Sequence, residues 1–434
     1  MNTQIQETIK TIEEWSKQWK LKLNADKCTT TLFSNDNRDS IWEANIKLNN
    51  KRLKTDKTPT FLGITFDRAL CFTTHINKIA NKIKSRAAIL RKLAGTDWGA
   101  NFQTLRSTYI ATGRSCAEYA AAGWAPFISK TSIDKLEMAQ RVAGRTISGT
   151  LKTSPNDTIL IESNLPTIQT RMQQISTIAF DKALRLPANN PRNVAVNNTQ
   201  RRRIKKTDWR GNTGQAWDNI FQVDRQTVSS IPISNKPWRA INIRFHKAIA
   251  KKSKNTTTNK EAADSAIEAL GATSNLIAYT DGSAITGNTN GGAGVHIVDK
   301  RRRSTINLAF AAGKFTSSYQ AEIMAIDHAL EVLKDNAMAQ DQVLLITDSL
   351  SACQHIQDLT EGGRSNNNVE LQIINNLELM STKNILFQVL WVPSHCNITG
   401  NDIADKLAEE GNQKEQSSIR WTHETSNAAI KRAT

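Results

Sequence analysis

The last third of this 434-residue sequence predicts an α/β fold, a mixed five-stranded sheet flanked by helices. Three observations predict it. The runs NLIAYTDGSA, GAGVHIVD and STINLAFAA follow one another as strands across Gly-containing or polar turns. SSYQAEIMAIDHALEVLKD then places Ala321, Met324, Ala325, His328, Ala329 and Val332 near one face of a long amphipathic helix. Two further apolar strands, DQVLLITDS and ILFQVLWVP, alternate with the helical segments SACQHIQDL, NNVELQIINNLELM and NDIADKLAEEG. The resulting order, βββαβααβα, describes a mixed sheet covered by helices.

Upstream the signals change character. Ile5, Ile9, Ile12, Trp15 and Trp19 recur at helical spacing. LKLNADKCTTTLFS reads as a turn leading into a strand, and NIKLNNKRLK as a hairpin turning at Asn49-Asn50. FLGITFD, after Pro59, reads as another strand. Residues 75–94, 102–122 and 132–147 each carry 3.6-residue periodicity, and Pro166 introduces a helix to about Leu186. Between 187 and 273 the periodicity weakens among four prolines and the basic runs RRRIKK (201–206) and KKSKNTTTNK (251–260). This stretch is expected to be a basic, largely irregular connector with one or two short helices.

Charge divides the chain. The whole carries a formal +17, yet residues 274–414 hold 10 Lys and Arg against 16 Asp and Glu, net −6. The remainder holds 47 against 24, net +23. A polyanion partner suits that remainder, because Lys and Arg contacts to phosphate supply affinity independent of sequence. A solvated basic surface is the plainer alternative. The five cysteines are scattered, odd in number and without CxxC spacing, which argues against a zinc knuckle or a disulfide framework. No apolar run has membrane-spanning length, and the polar N-terminus lacks a signal-peptide core, so an intracellular protein with no membrane partner is expected, in nucleus or cytoplasm.

The chemistry concentrates on carboxylates. Asp281 follows LIAYT and Asp348 follows VLLIT, so each ends an apolar strand, and Glu322 sits in the first turns of the helix between them. A carboxylate in such surroundings is costly to desolvate unless paired or cation-bound. Three that converge suit a hard divalent cation such as Mg²⁺. Asp405 lies on the last helix, ten residues after His395, which closes a strand and opens a polar, Gly-containing loop. That position suits proton transfer or product release better than a core role. Taken singly, His395 and Asp405 each have an ordinary explanation, as a loop histidine and a solvated helix acid.

TDGS (280–283), GGAG (291–294), QAE (320–322), ITDS (346–349) and WVPSHCNITGNDIADKLA (391–408) together resemble the type 1 ribonuclease H family in order and approximate spacing. The resemblance covers about 140 residues. It implies hydrolysis of the RNA strand of RNA–DNA hybrids by two Mg²⁺ ions, with Mn²⁺ a substitute. It also implies that Asp281, Glu322, Asp348 and Asp405 are metal-binding carboxylates and that His395 is the flexible-loop histidine. Asp402 stands where relatives often have Glu; Asp405 is preferred because it matches ADxLA. The short TEGGRSNNNV connection lacks the basic helical protrusion of some members, so hybrid affinity is expected to depend on the basic region upstream. Transposases and integrases of the DDE kind use similar carboxylates, but GGAG, QAE and PSH…AD belong to ribonuclease H.

IEEWSKQWKLKLNADKCTTTLFS, TPTFLGITFD and FTTHINKIANKI are similar to the palm end and thumb start of reverse transcriptases in LINE-type, jockey-like non-LTR retrotransposons. LRSTYIATGRSCAEYAAAGWAP, LEMAQRVAGRTISG and IESNLPTIQTR extend that similarity into the helical region beyond the thumb. The resemblance implies a short β remnant of the palm at 1–70, a mainly helical thumb- or connection-like region at 71–186, the connector at 187–273, the ribonuclease H domain at 274–414 and a tail at 415–434. The paired carboxylates of a YADD or FADD motif occur nowhere in the chain, so polymerase activity is not expected, and the sequence reads as a C-terminal piece of a longer element. A catalytically silent nucleic-acid-binding remnant is the competing reading; the presence of all five candidate residues argues against it.

Overall fold

The computed structural model describes residues 2–34, 36–95, 98–197, 213–223, 225, 241–249, 256–287, 289–363, 365, 367–417 and 422–434. The run at 201–206, Pro232, Pro237 and the first half of the run at 251–260 lie outside them. Two compact units form, one built on Met1–Phe180 and the other on Asp181–Gln200 and Asp218–Ala433.

In the first unit, α1 spans Asn2–Gln18, α2 Thr73–Leu93, α3 Phe102–Tyr109 and α4 Lys130–Ser148. A further helix, α5, spans Ile168–Leu184, its residues from Asp181 on belonging to the second unit. Ile76, Ile79, Ile83, Ala87 and Leu90 form the buried stripe of α2, and Leu105, Tyr109, Trp124, Leu136 and Ala143 close the core against it. The hairpin expected at Asn49-Asn50 forms, with both asparagines left-handed. FLGITFD is not one strand. Leu62 and Gly63 adopt positive φ and fold it into a tight hairpin pairing Thr60–Phe61 with Ile64–Thr65. The helix expected over 102–122 runs from Phe102 to Glu118. A wider turn takes over at Ile110–Arg114, where a Cβ on Gly113 would lie 2.6 Å from the buried Tyr109 ring, and Ala120 at φ 50° ends the run.

The second unit is a six-stranded sheet. Its strands are β1 (Ile243–Lys247), β2 (Leu276–Ile285), β3 (Thr289–Asp299), β4 (Ser304–Gly313), β5 (Gln342–Thr347) and β6 (Leu386–Trp391). The order across the sheet is β4-β3-β2-β5-β6-β1. β2, β3 and β4 meander antiparallel, while β5, β6 and β1 add in parallel. The five expected strands are all present. The sixth, β1, comes from the stretch expected to be irregular, and that stretch also ends in an 18-residue helix, α6 (Thr256–Thr273).

Helices α7 (Ser318–Asn336), α8 (Leu350–Thr360) and α9 (Asn368–Thr382) follow the expected pattern. They bury Ile323, Ile326, Leu330, Leu333, Ile356, Ile373 and Leu377 against Leu276, Ala278, Val343 and Leu345. On the other face, α6 packs Ala263 with Ile277, Leu344, Ile346 and Leu390. Helix α10 (Thr399–Asn412) lies along β2, β3 and β4. Covering both faces explains why β5 and β6 are apolar almost throughout rather than alternating. Helix α11 (His423–Ala433) follows the expected tail's first residues and is held by His423 Nδ1, 2.7 Å from Asp181 Oδ2. No helix among the described residues is long and apolar enough to cross a membrane.

A candidate metal centre at the carboxyl ends of two parallel strands

Register brings the two strand aspartates side by side. Thr347 of β5 pairs with Thr280 of β2, so Asp281 and Asp348 each stand one residue beyond a shared pair. Asp281 is held by its own turn, with the Gly282 N–H donating to its Oδ1 at 2.9 Å. The Asp348 carbonyl accepts from the Trp391 indole at 3.0 Å, tying the end of β5 to β6. Ser349 then caps α8.

Glu322 arrives from one face of the sheet through a glycine. A Cβ on Gly282 would lie 2.1 Å from the Glu322 nitrogen and 2.4 Å from the Ala321 carbonyl carbon, so only glycine lets the first turns of α7 come down onto β2. Asp405 arrives from the opposite face by the same device. Gly294 is the strand partner of Asp281, and a Cβ there would lie 1.9 Å from the Ala404 carbonyl oxygen. The neighbouring Gly292 makes room for Ala408 in the same way. The GGAG run is thus the bed of α10, and it sets Asp405 beside Asp281.

The carboxylates of Asp281, Glu322 and Asp348 each offer an oxygen within 4.8 Å of the others. Asp405 stands outside that trio and hydrogen-bonds to Asp281. Asp281 is buried, Asp348 is half-buried, and Glu322 Oε2 is enclosed with no hydrogen-bond partner among the described residues. At an effective dielectric near 20, two unit charges 4.8 Å apart repel by about 3.5 kcal/mol. The electrostatics follow from that crowding. Burial first, then Asp348 and the hydrogen bond with Asp405, push the Asp281 carboxyl up to about 8. Burial and the charges of Asp281 and Asp348 hold Glu322 well above the carboxylate range. Burial raises Asp348 too, while His395 and a hydrogen bond from Asn401 pull it down. Three crowded acids, each shifted upward, are a donor set that suits a divalent cation.

His395 is exposed, adopts φ 58° in the turn after β6 and lies close enough to influence Asp348. Asp402 is exposed, whereas Asp405 is half-buried and faces Asp281. Asn401 was not among the sequence candidates. It is buried, donates to Asp348 and precedes Asp405 by four residues, the spacing that puts both on one face of α10. That spacing from Asp405 was the available signal.

A polar cavity of about 480 Å³ is lined by residues near the cluster in sequence. Tyr319, three residues before Glu322, and Ser351, three after Asp348, line it with His355, Asn367 and Glu370. Glu370 is buried and organises this wall: it faces His355 Nε2 at 2.9 Å and accepts from Tyr319 and Asn367 at 3.3 Å each, and from Ser365.

A family model described as RNase H matches residues 273–413. The RNA-directed DNA polymerase from mobile element jockey of Drosophila melanogaster is 24% identical over 145 residues, covering 33% of this chain and 15% of the relative. Its Drosophila funebris counterpart is 22% identical over 210 residues, covering 46% and 22%. A probable RNA-directed DNA polymerase from transposon BS of Drosophila melanogaster is 23% identical over 181 residues, covering 42% and 20%. The chain thus spans less than a quarter of the length of each of these relatives. Among solved structures, RNase H1 from Halobacterium salinarum is 22% identical, covering 31% of this chain and 96% of that one with a TM-score of 0.25. LC11-RNase H1, isolated from compost, is 21% identical, covering 31% and 94% with a TM-score of 0.26.

Proposed function

Starting from the ribonuclease H domain formed by residues 273–413 in a relative of LINE-type, jockey-like polymerases, we propose that this chain hydrolyses the RNA strand of RNA–DNA hybrids. The observation that carries the reading is the convergence of Asp281, Glu322 and Asp348 from β2, α7 and β5, with Glu322 Oε2 buried and unpartnered. Asp281, Glu322, Asp348 and Asp405 would hold Mg²⁺, two ions in this reading, with Mn²⁺ an adequate substitute. Bound there, such ions supply an activated water and stabilise the attacking and leaving oxygens of an in-line displacement at phosphorus.

The chain's own residues do the rest. Asn401 and the Trp391–Asp348 contact hold the Asp348 carboxylate in place. Asp405 is hydrogen-bonded to Asp281, which fixes how the two carboxyl groups face each other. His395, exposed on its turn, is placed to accept a proton or to help the product leave. Tyr319, Ser351 and Asn367 offer hydroxyl and amide groups in the 480 Å³ polar cavity. Contacts to the 2′-hydroxyl are what separate RNA from DNA. The basic remainder of the chain, net +23, is read as the part that holds nucleic acid. Polymerisation has no place in this reading, since no YADD or FADD motif occurs.

The test is cleavage of a labelled RNA–DNA hybrid by the full chain, with Mg²⁺ and with EDTA, beside Asp281→Asn and Asp348→Asn. The expected result is metal-dependent cutting of the RNA strand by the parent alone, duplex DNA being left intact, with both variants folded and still binding hybrid. Full activity in either variant would remove the assigned site. A well-folded parent that binds hybrid without cutting it would instead establish the silent binding remnant.

A further inference from the structure

Helix α2 in the first unit carries Lys78, Lys82, Lys84, Arg86, Arg91 and Lys92 and no acidic residue. All six are exposed, on the faces left free by the buried Ile76–Ile83–Leu90 stripe. A solvated face would account for a charge run of this kind on its own. The C-terminal end of the helix adds a second observation. There a cavity of about 550 Å³ opens between the ends of α2 and α4, lined by Arg91, Arg145 and the hydroxyl-bearing Thr146, Ser148 and Thr150. Arg145 Nε is enclosed and has no hydrogen-bond partner among the described residues. With Nε closed off, the Arg145 side chain that lines the cavity can offer an incoming acceptor only its terminal N–H groups.

A third observation lies on the rim. Trp98 is 72% exposed, although its ring would profit from burial. Its indole Cε2 lies 3.3 Å from where a Cβ on Gly95 would stand, and Gly95 lines the cavity. The same Cβ would fall 2.1 Å from the Trp98 carbonyl oxygen, so the approach of Trp98 to this position requires glycine at 95. Paired arginines beside an exposed indole match what a single nucleic-acid strand presents. Its phosphate is an anionic acceptor of suitable fork geometry, and its unstacked base is a flat apolar surface.

We infer that the cavity between α2 and α4 is a nucleic-acid strand site, in which Arg91 and Arg145 hold a backbone phosphate and Trp98 stacks on a base. The basic face of α2 continues the track along the strand. The inference rests on the reading that the basic part of the chain binds nucleic acid, and is independent of whether the second unit cuts it.

The experiment uses the full chain in EDTA with a fluorescein-labelled oligo-dT or oligo-U of about 20 nucleotides, followed by anisotropy over a range of salt concentrations. Arg91→Ala/Arg145→Ala is expected to weaken binding about tenfold or more and to lower the slope of log K against log salt by about 0.7 for the one phosphate lost. Trp98→Ala is expected to weaken binding by about fivefold to a hundredfold with the slope unchanged, and Trp98→Phe to restore most of it. Should the double variant fail to fold, Arg91→Gln and the Trp98 pair, all at exposed positions, decide the matter. Affinity and slope unchanged in these variants, or equal losses in Trp98→Ala and Trp98→Phe, would overturn the site. Hybrid cleavage in Mg²⁺ is measured alongside on the parent, and a parent that binds the oligonucleotide but never cuts would refute the nuclease reading alone.

Discussion

Replacing Gly294 by alanine tests how Asp405 reaches the carboxylates. The new methyl group would stand 1.9 Å from the Ala404 carbonyl oxygen, 2.5 Å from the Ala408 nitrogen and 3.0 Å from the Ala404 carbonyl carbon. All three are backbone atoms of one helix, so no side chain can swing aside. Restoring an ordinary contact of 3.4 Å requires α10 to retreat by about 1.5 Å along that direction. Asp405, the residue after Ala404, moves with it and loses its hydrogen bond to Asp281. Overpacking of this kind destabilises by about 1–3 kcal/mol. A misplacement of about 1 Å at a reacting centre is worth roughly a hundredfold in rate. Gly294→Ala should therefore melt only a few degrees lower, yet cleave hybrid about a hundredfold more slowly under saturating Mg²⁺. Gly123→Ala is the matched control, because a Cβ there meets nothing within 4 Å. It should be as active as the parent and at least as stable. A Gly294→Ala protein with the parent's rate would show that the approach of α10 to β3 does not position a residue the reaction needs.

Three further outcomes are expected. His395→Ala should slow turnover by up to about a hundredfold without abolishing it, and should leave the melting temperature unchanged, since the side chain is exposed; an unaltered rate would make the histidine part of the turn only. In EDTA, the fold should lose stability as pH rises from the ordinary carboxylate range to about 8. The folded Asp281 pKa lies above its unfolded value, so the native state holds the extra proton across that window, at about 1.4 kcal/mol per pH unit for each proton. Asp281→Asn should flatten the slope, and metal-free melts identical at pH 5 and pH 8 in the parent would contradict the crowded-carboxylate account. Finally, a chain beginning at 241 should outlast one beginning at 251. The longer chain keeps β1 on the edge of β6, with Ile243 and Phe245 packed on the core, a difference of about 2–4 kcal/mol. Equal melting temperatures would show that β1 adds nothing.

Much of the second unit was legible in the sequence, for a local reason. Periods of 2 and 3.6 residues are written within each segment, so NLIAYTDGSA, SSYQAEIMAIDHALEVLKD and DQVLLITDS announce a strand, a helix and a strand without reference to one another. Asp281 and Asp348 stand out by the same logic, each an acid closing an apolar strand. The same locality hid β1. Ile243 and Phe245 do alternate with Arg244 and His246, but a five-residue run among basic residues is a weak signal, and its partner β6 lies more than a hundred residues away. Local periodicity also misread 60–65, where left-handed Leu62 and Gly63 outweighed the apolar pattern.

Sequence by itself thus determined which residue types the site has and roughly where each sits on its element. Only the tertiary structure decided which of them meet. Strand register put Asp281 beside Asp348, while the missing side chains of Gly282 and Gly294 brought Glu322 and Asp405 in from opposite faces. Those contacts also separate Asp405 from the exposed Asp402 and add Asn401, because helix rotation against a sheet is set by packing between distant segments, which no local pattern records.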